Sequence, residues 1–301
     1  RRSTLTVGSR PRLAQHVPQS PALFVEQPLR GRRVHLATGH HQGAFHAAVR
    51  LVEQLQGRVA RSAKCGAMLQ QDPRGAIPQF VIGRAQVNHQ IAPHLAHLHE
   101  QYTSMGWAQR VGFGRKPALI VIDLARFWTE PQHQMGACID TVVEAACQIL
   151  AIARTVSIPI FFTTTDFDAA DPPNPHDRKL PRTVPPGGEA VFDLDPRLDH
   201  RPSEKIVRKK YASAFKGTSL HEMLTALGTD TLIVTGVSTS HCIYATCRDA
   251  TDSFRVIVPA EAVGERCEIM HAVNLLDIDI DLGDVMPVDD VIKHLQGIGK
   301  A

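Results

Sequence analysis

The run Ala118–Leu124, ALIVIDL, constrains this chain more than any other stretch. It is apolar throughout apart from one aspartate, with no polar alternation. A strand with one wet face alternates, so an unbroken apolar run of this length belongs to a strand covered on both faces, as in parallel sheets between helices. The text that follows has the matching rhythm. Gly136–Val156 carries apolar residues at helical spacing, and Pro159–Thr165 reads as a second strand. Lys205–Lys209 is a short third strand, Ser219–Leu227 a helix ended by Gly228, and Thr231–Val237 a fourth strand. A helix over Ser240–Ser253, a strand at Arg255–Pro259, a helix at Glu268–Leu276, a sixth strand at Gly283–Met286 and a closing helix at Val288–Gln296 complete the series. Strands alternating with helices imply right-handed βαβ units. The fold class is therefore α/β: three α/β/α layers around a doubly wound, mostly parallel, Rossmann-like sheet of about six strands. The Pro- and Asp-rich stretch 166–199 interrupts the rhythm and reads as a long functional loop.

Residues 1–98 lack this rhythm, apart from one predicted helix at Ala44–Leu55. Residues 1–99 hold 13 Lys and Arg against 3 Asp and Glu, whereas the remainder holds 20 against 27. A basic, Pro/His/Gln-rich segment therefore precedes an acidic domain, which places the boundary at 98/99, with one α/β domain over 99–301. The first segment reads as a disordered basic extension, as translated noncoding sequence, or as a small nucleic-acid-binding module. No aromatic interleaving or helix-turn-helix pattern supports the last, so no nucleic-acid partner is expected. No apolar run approaches the roughly 20 residues a membrane helix needs. The six cysteines show no CxxC spacing and no leader accompanies them, so they read as reduced thiols of a cytoplasmic protein.

In parallel α/β sheets ligands bind beyond the carboxyl ends of the strands. Three chemistry-bearing side chains fall there: Asp123 ends the first strand, Lys209 the third, and Cys242 follows the fourth. Cys242 falls just inside a helix whose expected N-cap is Ser240. Unpaired N–H groups and the helix dipole would lower the thiol pKa and could hold an oxyanion.

These residues carry a resemblance. Arg110-Val-Gly-Phe-Gly, Pro117–Asp123, Trp128-Thr-Glu-Pro131, Val207-Arg-Lys209 with Ser213-Ala-Phe215, Thr235-Gly-Val-Ser-Thr239 with Cys242, and Val263-Gly-Glu-Arg266 stand in the order and spacing of the isochorismatase-like cysteine hydrolases. Within them, the branch containing N-carbamoylsarcosine amidase and maleamate amidohydrolase is most similar, over about residues 102–296. The resemblance implies Asp123 as general base, Lys209 as its cationic partner and Cys242 as nucleophile. It implies a cis peptide between Val237 and Ser238, an oxyanion hole from the Ser238 and Cys242 N–H groups, and substrate contacts from Trp128, Thr239 and Arg266, with Tyr211 and Phe215 as weaker pocket candidates. The implied reaction is hydrolysis of a small carboxylated linear amide or carbamoyl compound through a thioester, releasing ammonia. Ureidoacrylate-type or maleamate-type hydrolysis, or a non-catalytic binding protein on the same fold, are the alternatives. A homo-oligomer, tetramer or dimer, is implied as well.

The metal-binding nicotinamidase branch has an Asp-x-His pair soon after its first strand. Here Asp123 leads into Leu-Ala-Arg-Phe-Trp, so no metal and no other cofactor are expected. His241, beside the cysteine, reads as a polar helix-start residue.

Overall fold

The computed structural model describes residues 91–298, except 134, 169, 170, 173, 180–184 and 186. The predicted helix Ala44–Leu55 lies outside the described residues. In chain order the elements are α1 (Ala92–Ser104), β1 (Pro117–Ile122), the single turn α2 (Arg126–Thr129), α3 (Asp140–Thr155), β2 (Ile160–Thr165), β3 (Lys205–Lys209), α4 (Leu220–Ala226), β4 (Thr231–Val237), α5 (Tyr244–Ala250), β5 (Arg255–Pro259), β6 (Val263–Gly264), α6 (Glu268–Asp277), β7 (Asp284–Met286) and α7 (Val288–Ile298). π-type turns at Thr239–Ile243 and Ile278–Leu282 introduce α5 and follow α6.

The sheet has seven strands in the order β3-β2-β1-β4-β5-β7, with β6 on the end of β4, and every pairing is parallel. The extra strand relative to expectation is β6. Two residues are too few to show a periodicity, so its pairing with Gly236 and Val237 is invisible in sequence.

All six residues of β1 and all seven of β4 are buried, the two threonines of β4 included. Their side chains divide by parity. Ala118, Ile120 and Ile122 join Leu220, Leu224, Cys247, Ala250 and Leu275 in one apolar layer with α4, α5 and α6. Leu119 and Val121 join Val143, Ile149, Leu150, Val291 and Leu295 in the other, with α3 and α7. Alternate side chains of a strand point to opposite faces, and the two helical layers make both faces dry.

The chain runs outward from β1 through β2 to β3, then returns to β4 and continues the opposite way. The reversal lies between β1 and β4, where their carboxyl ends diverge and a ligand crevice forms. Gly236 allows the close approach there: it has φ +114°, and a Cβ on it would overlap the Ile122 carbonyl.

The boundary placed at 98/99 falls inside α1. This helix packs on α6 and the turn after it, with His99 3.1 Å from Asp279. The segment behind α1 is pinned by Arg110 to Asp279 at 2.7 Å and by the Val111 and Gly112 N–H groups to the buried Asp284. Among the described residues no helix is long and apolar enough to cross a membrane.

Candidate active site

Asp123 directly follows β1, at φ +51°, a left-handed conformation that aspartate tolerates better than most residues. The residue is 2% exposed. Thr163 on β2 holds it from one side, donating to Oδ1 at 2.7 Å. Lys209 holds it from the other, with Nζ 2.7 Å from Oδ2.

β2 separates β1 from β3, so Lys209 and Asp123 leave strands roughly 10 Å apart. Only a long side chain spans that gap. Lys209 does so while 5% exposed, and its ammonium also meets the Tyr211 carbonyl at 3.2 Å and the Cys242 Sγ at 3.3 Å. Burial works to lower the Lys209 pKa but is outweighed by Asp123 and Cys242, so the pKa is raised and the amine stays charged.

Cys242 lies in the Thr239–Ile243 turn, against the apolar layer of α4 and α5. Burial first, then the Asp123 carboxylate, push its thiol up to about 12, against the pull of Lys209. This reverses the expected lowering: desolvation of a thiolate beside a carboxylate exceeds what one helix start supplies. The resting site is therefore a thiol within hydrogen-bonding reach of a carboxylate, with an ammonium in contact with both.

Ser238, in extended conformation, precedes this turn, and the Val237–Ser238 peptide is cis. The turn itself differs from expectation at Ser240, which lies inside it and does not cap it. The Ser240 N–H and hydroxyl both donate to Glu265, at 3.1 and 2.6 Å.

A cleft with about 200 Å³ of unfilled space opens beside Ser238, lined by Trp128, Met135, Ala137, Ile139, Val237, Glu265 and Arg266. Trp128 and Arg266, expected as substrate contacts, thus meet at one cleft although far apart in sequence. Arg266 is exposed at its rim and donates to the Met135 carbonyl at 3.0 Å. The Trp128 indole N–H is buried and meets no acceptor among the described residues.

Thr239 is different. It is 0% exposed, donates to the Gly264 carbonyl at 3.0 Å and lies 2.8 Å from His271 Nδ1. Both contacts are internal, so Thr239 fastens the turn instead of meeting a substrate. Tyr211 and Phe215 do not line the cleft: Tyr211 is 47% exposed under the Lys216 ammonium, and Phe215 stacks with Phe254.

Glu265 was not singled out by sequence reasoning. Its carboxylate is buried, and burial alone would raise its pKa; bonds from His241, Ser240 and the Arg266 N–H prevail and lower it to about 2. Its signal was available in the Val263–Arg266 stretch, whose charged pair stands at a strand end. Among the described residues Cys147, Cys242, Cys247 and Cys267 are free thiols. Among the described residues no group of three or more His, Cys, Asp or Glu is arranged to hold a metal ion.

The isochorismatase domain model matches residues 117–290. N-carbamoylsarcosine amidase from an Arthrobacter species is 35% identical over 205 residues, covering 65% of this chain and 78% of its own length. Maleamate amidohydrolase from Pseudomonas putida is 37% identical over 199 residues, covering 63% and 92%. Among solved structures, an isochorismatase-like hydrolase from Alkaliphilus metalliredigens aligns with a TM-score of 0.51 at 25% identity, over 60% of this chain and 98% of its own. The strand order, the crevice between β1 and β4 and these matches converge: the chain belongs to the isochorismatase family, as an amidohydrolase.

Proposed function

We propose that the protein hydrolyses a small, carboxylated linear amide or carbamoyl compound, of N-carbamoylsarcosine or maleamate type, with Cys242 as nucleophile. The observation that carries this reading is the contact of Lys209 with both Asp123 and Cys242, at 2.7 and 3.3 Å, beside a cleft rimmed by an arginine.

The chemistry follows from the charges. A thiol pushed up to about 12 does not ionise unaided at neutral pH. Asp123 takes its proton as the sulfur attacks the carbonyl carbon, and Lys209 offsets the negative charge that moves onto sulfur. The Ser238 and Cys242 N–H groups receive the oxyanion. Asp123 returns the proton to the departing nitrogen, the C–N bond breaks, ammonia leaves and a thioester remains. Water, deprotonated by Asp123, then cleaves the thioester and restores the thiol. Arg266 suits a substrate carboxylate through paired N–H donors, and the Trp128 indole supplies a further donor.

Ammonia release from N-carbamoylsarcosine, maleamate, ureidoacrylate and nicotinamide, by the protein and its Cys242→Ala variant, tests the reading. Release lost in the variant supports it. Equal release by both would remove Cys242 from the mechanism, and no release from any amide would leave a binding protein on this fold.

A further inference from the structure

The approach to the turn that carries Cys242 and its first two residues are fastened to the segment Val263–Glu265. Gly236 and Val237 pair with Val263 and Gly264 in the sheet. The Thr239 hydroxyl then donates to the Gly264 carbonyl. Ser240 follows, giving both its N–H and its hydroxyl to Glu265. The fastening runs in step, residue by residue, and ends at Glu265, whose other oxygen accepts the Arg266 N–H at 2.8 Å. Arg266 is the rim of the cleft.

We infer that Glu265 is a positioning residue: its carboxylate locks the turn bearing Ser238 and Cys242 to the backbone of Arg266, and so sets the distance between the oxyanion donors and the substrate's anchoring end. This rests on the proposed amide hydrolysis. Three protein donors converge on two oxygens, a pattern only an acceptor-only group can satisfy. The carboxylate meets that requirement because it stays ionised at any ordinary pH, its pKa lying near 2. A glutamine keeps one oxygen and turns an NH₂ against either Ser240 or Arg266, so one side of the clamp opens. Glu265 does not act on the thiol: its bonds run to Ser240 and Arg266, whereas Asp123 and Lys209 are the charged groups that act on Cys242. His241 adjoins the clamp, with Nδ1 2.8 Å from the Ser240 hydroxyl and 3.9 Å from Glu265, and 61% of its side chain is exposed.

The test compares the protein with Glu265→Gln and Glu265→Asp by three measurements. These are steady-state ammonia release, the rate of Cys242 alkylation by iodoacetamide, and amide hydrogen exchange in the peptide spanning 238–243. Misplacing reacting groups by about an ångström costs on the order of 100-fold, so Glu265→Gln should lower kcat by about 30- to 100-fold with KM changed less than about threefold. Alkylation, which needs the thiol but no oxyanion hole, should change by less than about threefold. Exchange should quicken in the turn and stay unchanged in α3, and Glu265→Asp should recover part of kcat. Unchanged kcat and unchanged exchange would overturn the inference. So would a rise in KM alone, which marks a substrate contact, or a fall in alkylation matching that in kcat, which marks an effect on the thiol or the fold. If the parent protein releases no ammonia from any amide, the proposed function fails first. The exchange measurement then decides Glu265 alone: faster exchange confined to the turn upholds the clamp, and no change removes it.

Discussion

Cys242 and Cys247 sit on consecutive turns of one helical segment, yet one meets the Lys209 ammonium and the other lies wholly within the apolar layer. Both thiols are pushed up to about 12. For Cys247 burial alone raises it: it is 0% exposed among Ile120, Leu224 and Ala250. Cys242 is raised by burial together with the Asp123 carboxylate, and Lys209 stands 3.3 Å away. Equal pKa values therefore conceal opposite chemistry. Cys247 has no group to take its proton, whereas Cys242 has a base within reach and a cation to receive the charge. Reactivity is set by the partners that can accept a proton, not by the resting pKa.

Breaking the active member should have the largest effect. Cys242→Ala is expected to lower ammonia release by roughly 10⁴-fold or more, while Cys247→Ala stays within about threefold of the parent; comparable losses in both would erase the distinction. Next comes the base. Asp123→Asn keeps the shape but cannot take the proton, and kcat should fall by about 10²- to 10⁴-fold, while Cys242 alkylation should not slow, because the carboxylate that raises the thiol pKa is gone and Lys209 remains. Retention of kcat would mean that the thiol ionises by another route. In the folded parent, iodoacetamide should modify Cys242 on the order of 100 times faster than Cys247, since only the first has access and a proton acceptor; peptide mass mapping over time reads the ratio.

The smaller effects concern stability. Cys247→Ala should cost about 1–2 kcal/mol by leaving a small void, measured by urea unfolding. Both thiols also hold their protons more tightly folded than unfolded. Their stabilising contribution is full below the ordinary thiol value of 9 and drains away as pH rises towards 12. The raised Lys209 pKa acts in the same direction at higher pH. The urea midpoint should fall between pH 8 and 10.5, and less steeply in Cys247→Ala. A flat midpoint in the parent would sink this attribution.

Much of the molecule is legible in its sequence. The strand at Lys205–Lys209 keeps its predicted bounds, as do Thr231–Val237 and Arg255–Pro259, because each is a short apolar or β-branched run between turn signals. Parallel pairing follows from burial on both faces. Asp123, Lys209 and Cys242 stand out because each falls at or just beyond the carboxyl end of a strand, and the resemblance aligns Lys209, not its neighbour Lys210, with the family's lysine. The latter in fact bonds Asp171 on the loop, at 2.7 Å. The two-residue β6 and the single turn α2 are too short to register. The Thr239 hydroxyl donates to the Gly264 carbonyl, and a hydroxyl at a turn looks the same in sequence whether it faces a ligand or a backbone carbonyl.

The sequence by itself determined the layered α/β architecture and that Asp123 and Lys209 stand at strand ends, since both follow from local apolar pattern. Only the tertiary structure decided that the thiol rests protonated, that Thr239 faces inward and that Glu265 clamps the turn. Desolvation and hydrogen-bond satisfaction are sums over neighbours from distant segments, and no local pattern contains those sums.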